Sequence, residues 1–170
     1  MSMKQGLEPV VDDRSRILIL GSLPGDASLA ARQYYAYPRN HFWPILSSIH
    51  GVPIEADYGS RLAFLHEHGI ALWDVLAAAE RHGSLDSNIR SPMVNDLGGL
   101  VRKHSRIRAV GLNGTKAWTI FNRHWGSQSI FRSNDMRVRC LPSSSPVPGK
   151  NVKSFEEKVR AWRDFLKPAA

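Results

Sequence analysis

Four short, nearly continuous apolar runs constrain this chain more than any other feature. They are Arg16-Ile17-Leu18-Ile19-Leu20-Gly21, Ile70-Ala71-Leu72-Trp73, Ile107-Arg108-Ala109-Val110-Gly111-Leu112 and Val138-Arg139-Cys140-Leu141. Runs of this length, ended by glycine, proline or polar residues, read as strands buried on both faces rather than as half-exposed, alternating ones. Between them apolar residues recur at helical intervals: Phe42 to Ile49, Tyr58 to His68, Val94 to His104, Thr115 to Trp125, and Ser154 to Leu166 with Phe155, Val159, Trp162 and Leu166 on one face. Strand and helix in alternation predict an α/β fold, a three-layer α/β/α sandwich around a central, mostly parallel sheet of about four strands. Ligands of such sheets bind beyond the carboxyl ends of the strands. A length of 170 residues without repeat or linker suits a single domain, 1–170. Met1 to Asp13, polar and aperiodic, is expected to be an N-terminal arm, loose or docked.

Lysine and arginine number 23 against 15 acidic residues, a net charge of +8, which points to a polyanionic partner such as nucleic acid. No apolar run is long enough to span a membrane, and the start lacks the apolar core of a secretory signal, so a soluble, cytoplasmic protein is expected. One cysteine excludes an internal disulfide, a four-cysteine zinc site and a four-cysteine iron–sulfur cluster within one chain; Cys140 is expected to be a buried strand residue. The seven histidines are scattered, and no metal site or other cofactor is expected. No Gly-x-Ser-x-Gly elbow anchors a serine hydrolase triad.

Gly21-Ser22-Leu23-Pro24-Gly25-Asp26-Ala27-Ser28-Leu29 follows the first run and lacks the lysine of a phosphate-binding loop. Its glycines permit a tight turn with main-chain N–H groups turned outward, toward an anion or a polar base edge. Taken alone it is a structural turn. Shortly after it, Tyr34, Tyr35, Tyr37, Phe42 and Trp43 crowd around Pro38, Arg39, Asn40 and His41. Aromatic faces stack on nucleobases while arginine contacts phosphate. An aromatic core cluster suits Phe42 and Trp43 better than Tyr35.

These motifs resemble the uracil-DNA glycosylase superfamily, and most of all its hypoxanthine-DNA (deoxyinosine) glycosylase family. The matching residues are Gly21-Ser22-Leu23-Pro24-Gly25-x-x-Ser28-Leu29, Gln33-Tyr34-Tyr35, Pro38-x-Asn40-x-Phe42-Trp43, Gly69 to Leu76, Gly83-Ser84-Leu85-Asp86, Leu112 to Ala117, and Leu141-Pro142-Ser143-Ser144-Ser145-Pro146. They span nearly the whole chain in order. The resemblance implies base excision repair: hydrolysis of the N-glycosidic bond of a deaminated base, hypoxanthine or uracil, flipped out of DNA. The product is an abasic site, without strand cleavage. It implies damaged duplex DNA as partner, with single strands an alternative, and a monomer associated with the nucleoid when on DNA. A uracil- or mismatch-specific glycosylase and a catalytically silent DNA-binding module are the alternatives.

The superfamily often holds its hydrolytic water with Asn or Asp just before the Pro-Gly; here Leu23 stands there and cannot. The resemblance moves the catalytic role to Asn40, whose amide oxygen can accept from water; bracing the loop is the other reading. Leu23 remains at the base-binding site, with the N–H groups of Leu23, Gly25 and Asp26 as donors. Tyr35 is placed as the aromatic that stacks on the base, against simple packing. Asp74 stands where the superfamily commonly reads the base with asparagine. Ionised, it accepts only, so it would pair with N1–H of hypoxanthine or N3–H of uracil and repel N1 of adenine. A helix cap or a buried ion pair is its alternative. Asn113 reads first as a cap of the following helix and second as a base contact. Arg39, Ser143, Ser144, Ser145 and Lys150 are the expected DNA contacts, in part from the loop that enters the duplex.

Overall fold

The computed structural model describes residues 3–149 and 152–168. In chain order the elements are β1 (Met3–Gln5), β2 (Ile17–Gly21), α1 (Asp26–Ala31), α2 (Phe42–His50), α3 (Tyr58–Glu67), β3 (Ile70–Asp74), β4 (Leu76–Glu80) and β5 (Arg90–Val94). They continue with α4 (Leu97–Lys103), β6 (Ala109–Asn113), α5 (Thr115–Trp125), α6 (Ser129–Arg132), β7 (Arg137–Leu141) and α7 (Phe155–Leu166). The four apolar runs form one parallel sheet in the order β3-β2-β6-β7, as expected.

Successive side chains of a strand face opposite ways, and β2 divides its residues between two cores accordingly. Leu18 and Leu20 pack with Val110, Leu112, Val101, Ile120 and Phe121, beneath α4 and α5. Ile19 packs with Leu72, Phe42, Leu46, Leu65, Trp162 and Phe165, beneath α2, α3 and α7. Two helical layers thus enclose the sheet, which makes the expected three-layer sandwich. Ser154 starts α7 with a capping box: its hydroxyl accepts from Glu157 N–H at 3.1 Å, and the Glu157 carboxylate accepts from Ser154 N–H at 3.0 Å.

A second sheet was not expected. β1, β4 and β5 pair antiparallel in the order β1-β4-β5, and the stretch read as a helix from Val94 begins only at Leu97, where Asp96 caps it through Gly99 N–H. Within the N-terminal arm, the described residues from Met3 to Val10 lie against the fold. Met3–Gln5 pairs with β4, and Val10 exchanges two 2.9 Å hydrogen bonds with Leu72 on the outer edge of β3. The Tyr34 hydroxyl donates to the Glu8 carbonyl at 2.8 Å. The arm therefore covers a sheet edge that would otherwise offer unpaired N–H and C=O groups. Cys140 corrects an expectation: it is exposed, because β7 is itself an edge strand whose Arg139 and Cys140 lie outside the core.

At Asp74 the chain leaves the parallel sheet and, with only Val75 between, enters the antiparallel one at Leu76. Val75 N–H and Leu76 N–H donate to the carbonyls of Gly21 and Ser22, at 2.8 and 3.1 Å. The end of β3 is thereby tied to the turn that follows β2.

Candidate active site

A cleft of about 1080 Å³ opens at the carboxyl ends of the parallel strands. Its floor is Asp74, paired in register with Gly21 and 5% exposed. Asp74 Oδ1 lies 2.6 Å from where a Cβ on Gly21 would sit, so only glycine lets the carboxylate fold over β2. Gly21→Ala is expected to destabilise the chain by about 1–3 kcal/mol through that overlap. Urea unfolding measures it, and wild-type stability would mean that the carboxylate can simply turn aside. Asp74 Oδ2 is buried without a hydrogen-bond partner among the described residues. Burial first, and the charge of Asp86 second, push its pKa up to about 7, with Arg81 opposing. Neither alternative role is found: the side chain caps no helix and joins no ion pair among the described residues.

One wall is the turn after β2, held from behind by Arg81. This arginine is 1% exposed; its Nη1 donates to the Leu23 carbonyl at 3.3 Å, its Nη2 to the Pro24 carbonyl and its Nε to that of Gly83 at 3.1 Å. Its guanidinium also lies 3.8 Å from Asp86, whose carboxylate accepts the Ser22 hydroxyl at 2.6 Å. A trans peptide points its C=O and N–H in opposite directions. Anchoring the Ser22 carbonyl on Leu76 and the Pro24 carbonyl on Arg81 therefore turns Leu23 N–H and Gly25 N–H away from those anchors. Both residues line the cleft, and neither N–H has an acceptor among the described residues. The third expected donor, Asp26 N–H, is engaged by the Ser84 hydroxyl at 2.9 Å.

The facing wall joins three loops. Tyr35 takes a left-handed backbone (φ 55°), a strained choice for a tyrosine, and stacks one ring face on Phe42 at 4.0 Å. Its hydroxyl accepts from Asn113 Nδ2 at 3.1 Å; burial, then the neighbouring Asp74, keep that phenol protonated well above its ordinary range. Asn113 also donates to Ser144 Oγ at 2.9 Å and accepts Ser144 N–H at 2.9 Å. Its amide is thus committed to joining Tyr35 to the 143–145 loop. The expected helix cap is not found: Gly114 is the N-cap of α5 and no side chain caps there.

Asn40 lines the cleft with its Oδ1 accepting Phe42 N–H at 2.9 Å. That bond braces the loop and fixes the orientation of the amide, while the second lone pair of Oδ1 meets no donor among the described residues. Bracing and water-holding are compatible in one side chain. Ser143 and Ser145 line the cleft with hydroxyls that accept N–H groups of their own loop, at 3.1 and 3.2 Å. Ser144 is 1% exposed and turned inward to Asn113. Arg39 is exposed nearby without forming the wall. Lys150 lies outside the described residues.

Sequence reasoning missed two buried cations, Lys158, which lines the cleft, and Arg81, which holds one of its walls from behind. A signal existed for Lys158: with Phe155, Val159, Trp162 and Leu166 defining the apolar stripe of α7, position 158 falls on that stripe.

The sequence profile of the uracil DNA glycosylase superfamily matches residues 8–166. A protein of Methanosarcina barkeri named hypoxanthine DNA glycosylase is 36% identical over 165 residues, 96% of this chain and 98% of that relative. A protein of the same name from Methanosarcina acetivorans is 34% identical over 94% of this chain and 96% of its own length. The solution NMR structure of a candidate uracil DNA glycosylase from Methanosarcina acetivorans superposes with a TM-score of 0.78 at 34% identity, covering 98% of this chain and 99% of that one.

Proposed function

The chain belongs to the uracil DNA glycosylase superfamily, and from that premise we propose a DNA glycosylase that removes hypoxanthine from DNA, with uracil as the alternative base. The target nucleotide swings out of the helix, at a cost that is least for a poorly paired base, and its base enters the cleft. The observation that carries the choice of base is the Asp74 carboxylate at the cleft floor, almost wholly buried and in no ion pair among the described residues. As a carboxylate it accepts N1–H of hypoxanthine or N3–H of uracil and faces the lone pair on N1 of adenine unfavourably.

Tyr35, with one face on Phe42, supplies its other face to the base. Asn40 Oδ1 accepts a hydrogen bond from the attacking water and aims its oxygen at C1′ of the sugar. The C1′–N bond breaks with its electron pair passing to the base. The N–H groups of Leu23 and Gly25 stabilise that developing negative charge, and the proton lost by the water completes the neutral base. A 1′-hydroxyl sugar, the abasic site, remains in an intact strand. Leu23 contributes main chain and an apolar wall, while Asn113 acts by holding Tyr35 and Ser144 in place. Arg39, Ser143, Ser145 and Lys150 meet the backbone of the DNA. The reaction needs no metal, and the protein works as a monomer on intracellular DNA.

Duplexes containing deoxyinosine or deoxyuridine, incubated with the protein and then treated with alkali, test this reading. Breaks at deoxyinosine that appear only after alkali are expected, undiminished by EDTA. Tight DNA binding with neither product would leave only a silent DNA-binding module.

A further inference from the structure

Lys158 is 2% exposed in the first turn of α7, yet its ammonium has no carboxylate within ion-pair distance among the described residues. Its Nζ donates to His41 Nδ1 and to the Ser145 carbonyl, both at 3.1 Å. Neither partner carries negative charge. Burial, then the ammonium itself, hold the His41 imidazole below its ordinary pKa, so it serves as a neutral acceptor with its proton on Nε2. Burial alone lowers the lysine, with no acidic neighbour to raise it. A buried cation costs several kcal/mol unless compensated, and an apolar residue of similar volume would usually be at least as stable. Among the described residues two of the three ammonium protons are used and the third has no acceptor, on a side chain that forms part of the cleft wall beside Asn40, Ser145 and Lys153.

We propose that Lys158 is the anchor of a phosphate subsite, holding one phosphodiester oxygen of the strand on either side of the extruded nucleotide. The ligand is a DNA phosphate: the missing anion arrives with the substrate, and a lysine pre-bound to His41 and Ser145 has little left to order when it does. The same contact seats the sugar beside Asn40, because His41 follows Asn40 directly and its N–H also donates to the Ser144 carbonyl at 2.9 Å. This subsite rests on the chain being a DNA-binding glycosylase.

The test measures affinity for a duplex carrying a tetrahydrofuran abasic analogue, across salt concentrations, for the wild type, Lys158→Met and Lys158→Gln. The glutamine amide can still donate to His41 and Ser145, so it preserves a mere loop clamp while removing the charge. Both variants are expected to fold and to lower the magnitude of the slope of log K against log salt by about 0.9, the share of one phosphate. Neutral methylphosphonates, placed singly around the analogue, are expected to weaken wild-type binding about tenfold at one position. At that position neither variant should lose more. An unchanged slope, additive losses at every phosphate, or a failure of both variants to fold would each overturn the subsite. If the wild type itself does not bind the duplex, the glycosylase reading falls together with it; binding with unchanged slopes removes the subsite alone.

Discussion

Asn40→Ala is expected to slow base release by roughly 10²–10³-fold under single-turnover conditions, the scale on which one positioned group acts in a transition state. Folding should suffer little. The lost bond from Phe42 N–H costs about 1 kcal/mol, a few degrees of melting temperature for a chain of this size. Affinity for an abasic duplex should stay near wild type, since Asn40 is asked to hold water rather than DNA. Asn40→Asp keeps an acceptor oxygen in the same place and should recover much of the rate. Wild-type turnover by the alanine variant would remove Asn40 from the chemistry and leave it as the brace of its loop.

Asp74→Asn is expected to stabilise the protein above pH 7 and to leave it unchanged near pH 4. The folded carboxyl titrates at about 7 against an ordinary 3.8, so the folded state holds the proton more tightly. Below pH 4 the group is protonated whether folded or not and costs nothing. Between 4 and 7 the unfolded chain ionises while the folded one resists, and stability falls. Above 7 the whole cost is present, about 4 kcal/mol. The amide carries no such cost, and the melting temperature should rise by roughly 5 °C or more at pH 8. Melts from pH 4 to pH 8 read this directly; an equal shift at every pH would disprove the ionisation argument. Catalysis should lose selectivity at the same time. An asparagine amide can donate to N1 of adenine as well as accept from hypoxanthine, so the preference for hypoxanthine over adenine should narrow. Stability withheld at Asp74 is the counterpart of what it can refuse.

Much of this architecture was readable because its central strands are covered on both faces. Ile17 to Leu20 and Ala109 to Leu112 have nowhere else to go, and the predicted helix Thr115 to Trp125 matches α5 end for end. The small sheet was hidden for opposite reasons. Leu76-Ala77-Ala78-Ala79-Glu80 is made of strong helix formers held extended by pairing to β1 and β5, and Arg90-Ser91-Pro92-Met93-Val94 is largely exposed and contains a proline. At the site, Tyr35, Asn40 and Asp74 were singled out by the family resemblance of the motifs around them, and all three line the cleft. What each side chain binds within the protein was not. Asn113 looked like a cap and turned out to join Tyr35 to Ser144, a partner 31 positions away. Arg81 reaches back 57 and 58 positions to hold Pro24 and Leu23. Partners that distant leave no local pattern.

The position of β2 at the middle of the sheet also bears on how the protein is made. Ile17 pairs on one side with Ile70 and on the other with Ala109, which itself pairs with Arg137. Parallel pairing over such separations folds slowly, because long loops must close before any contact rewards them. A chain emerging from the ribosome therefore exposes Ile17 to Leu20 until the strands on both sides have been synthesised. The cleft comes later still, since Lys158 is needed to close it over Ser145 and His41. Fragments released early would carry the apolar strand and no working site, which makes them targets for chaperones and proteases rather than weak enzymes.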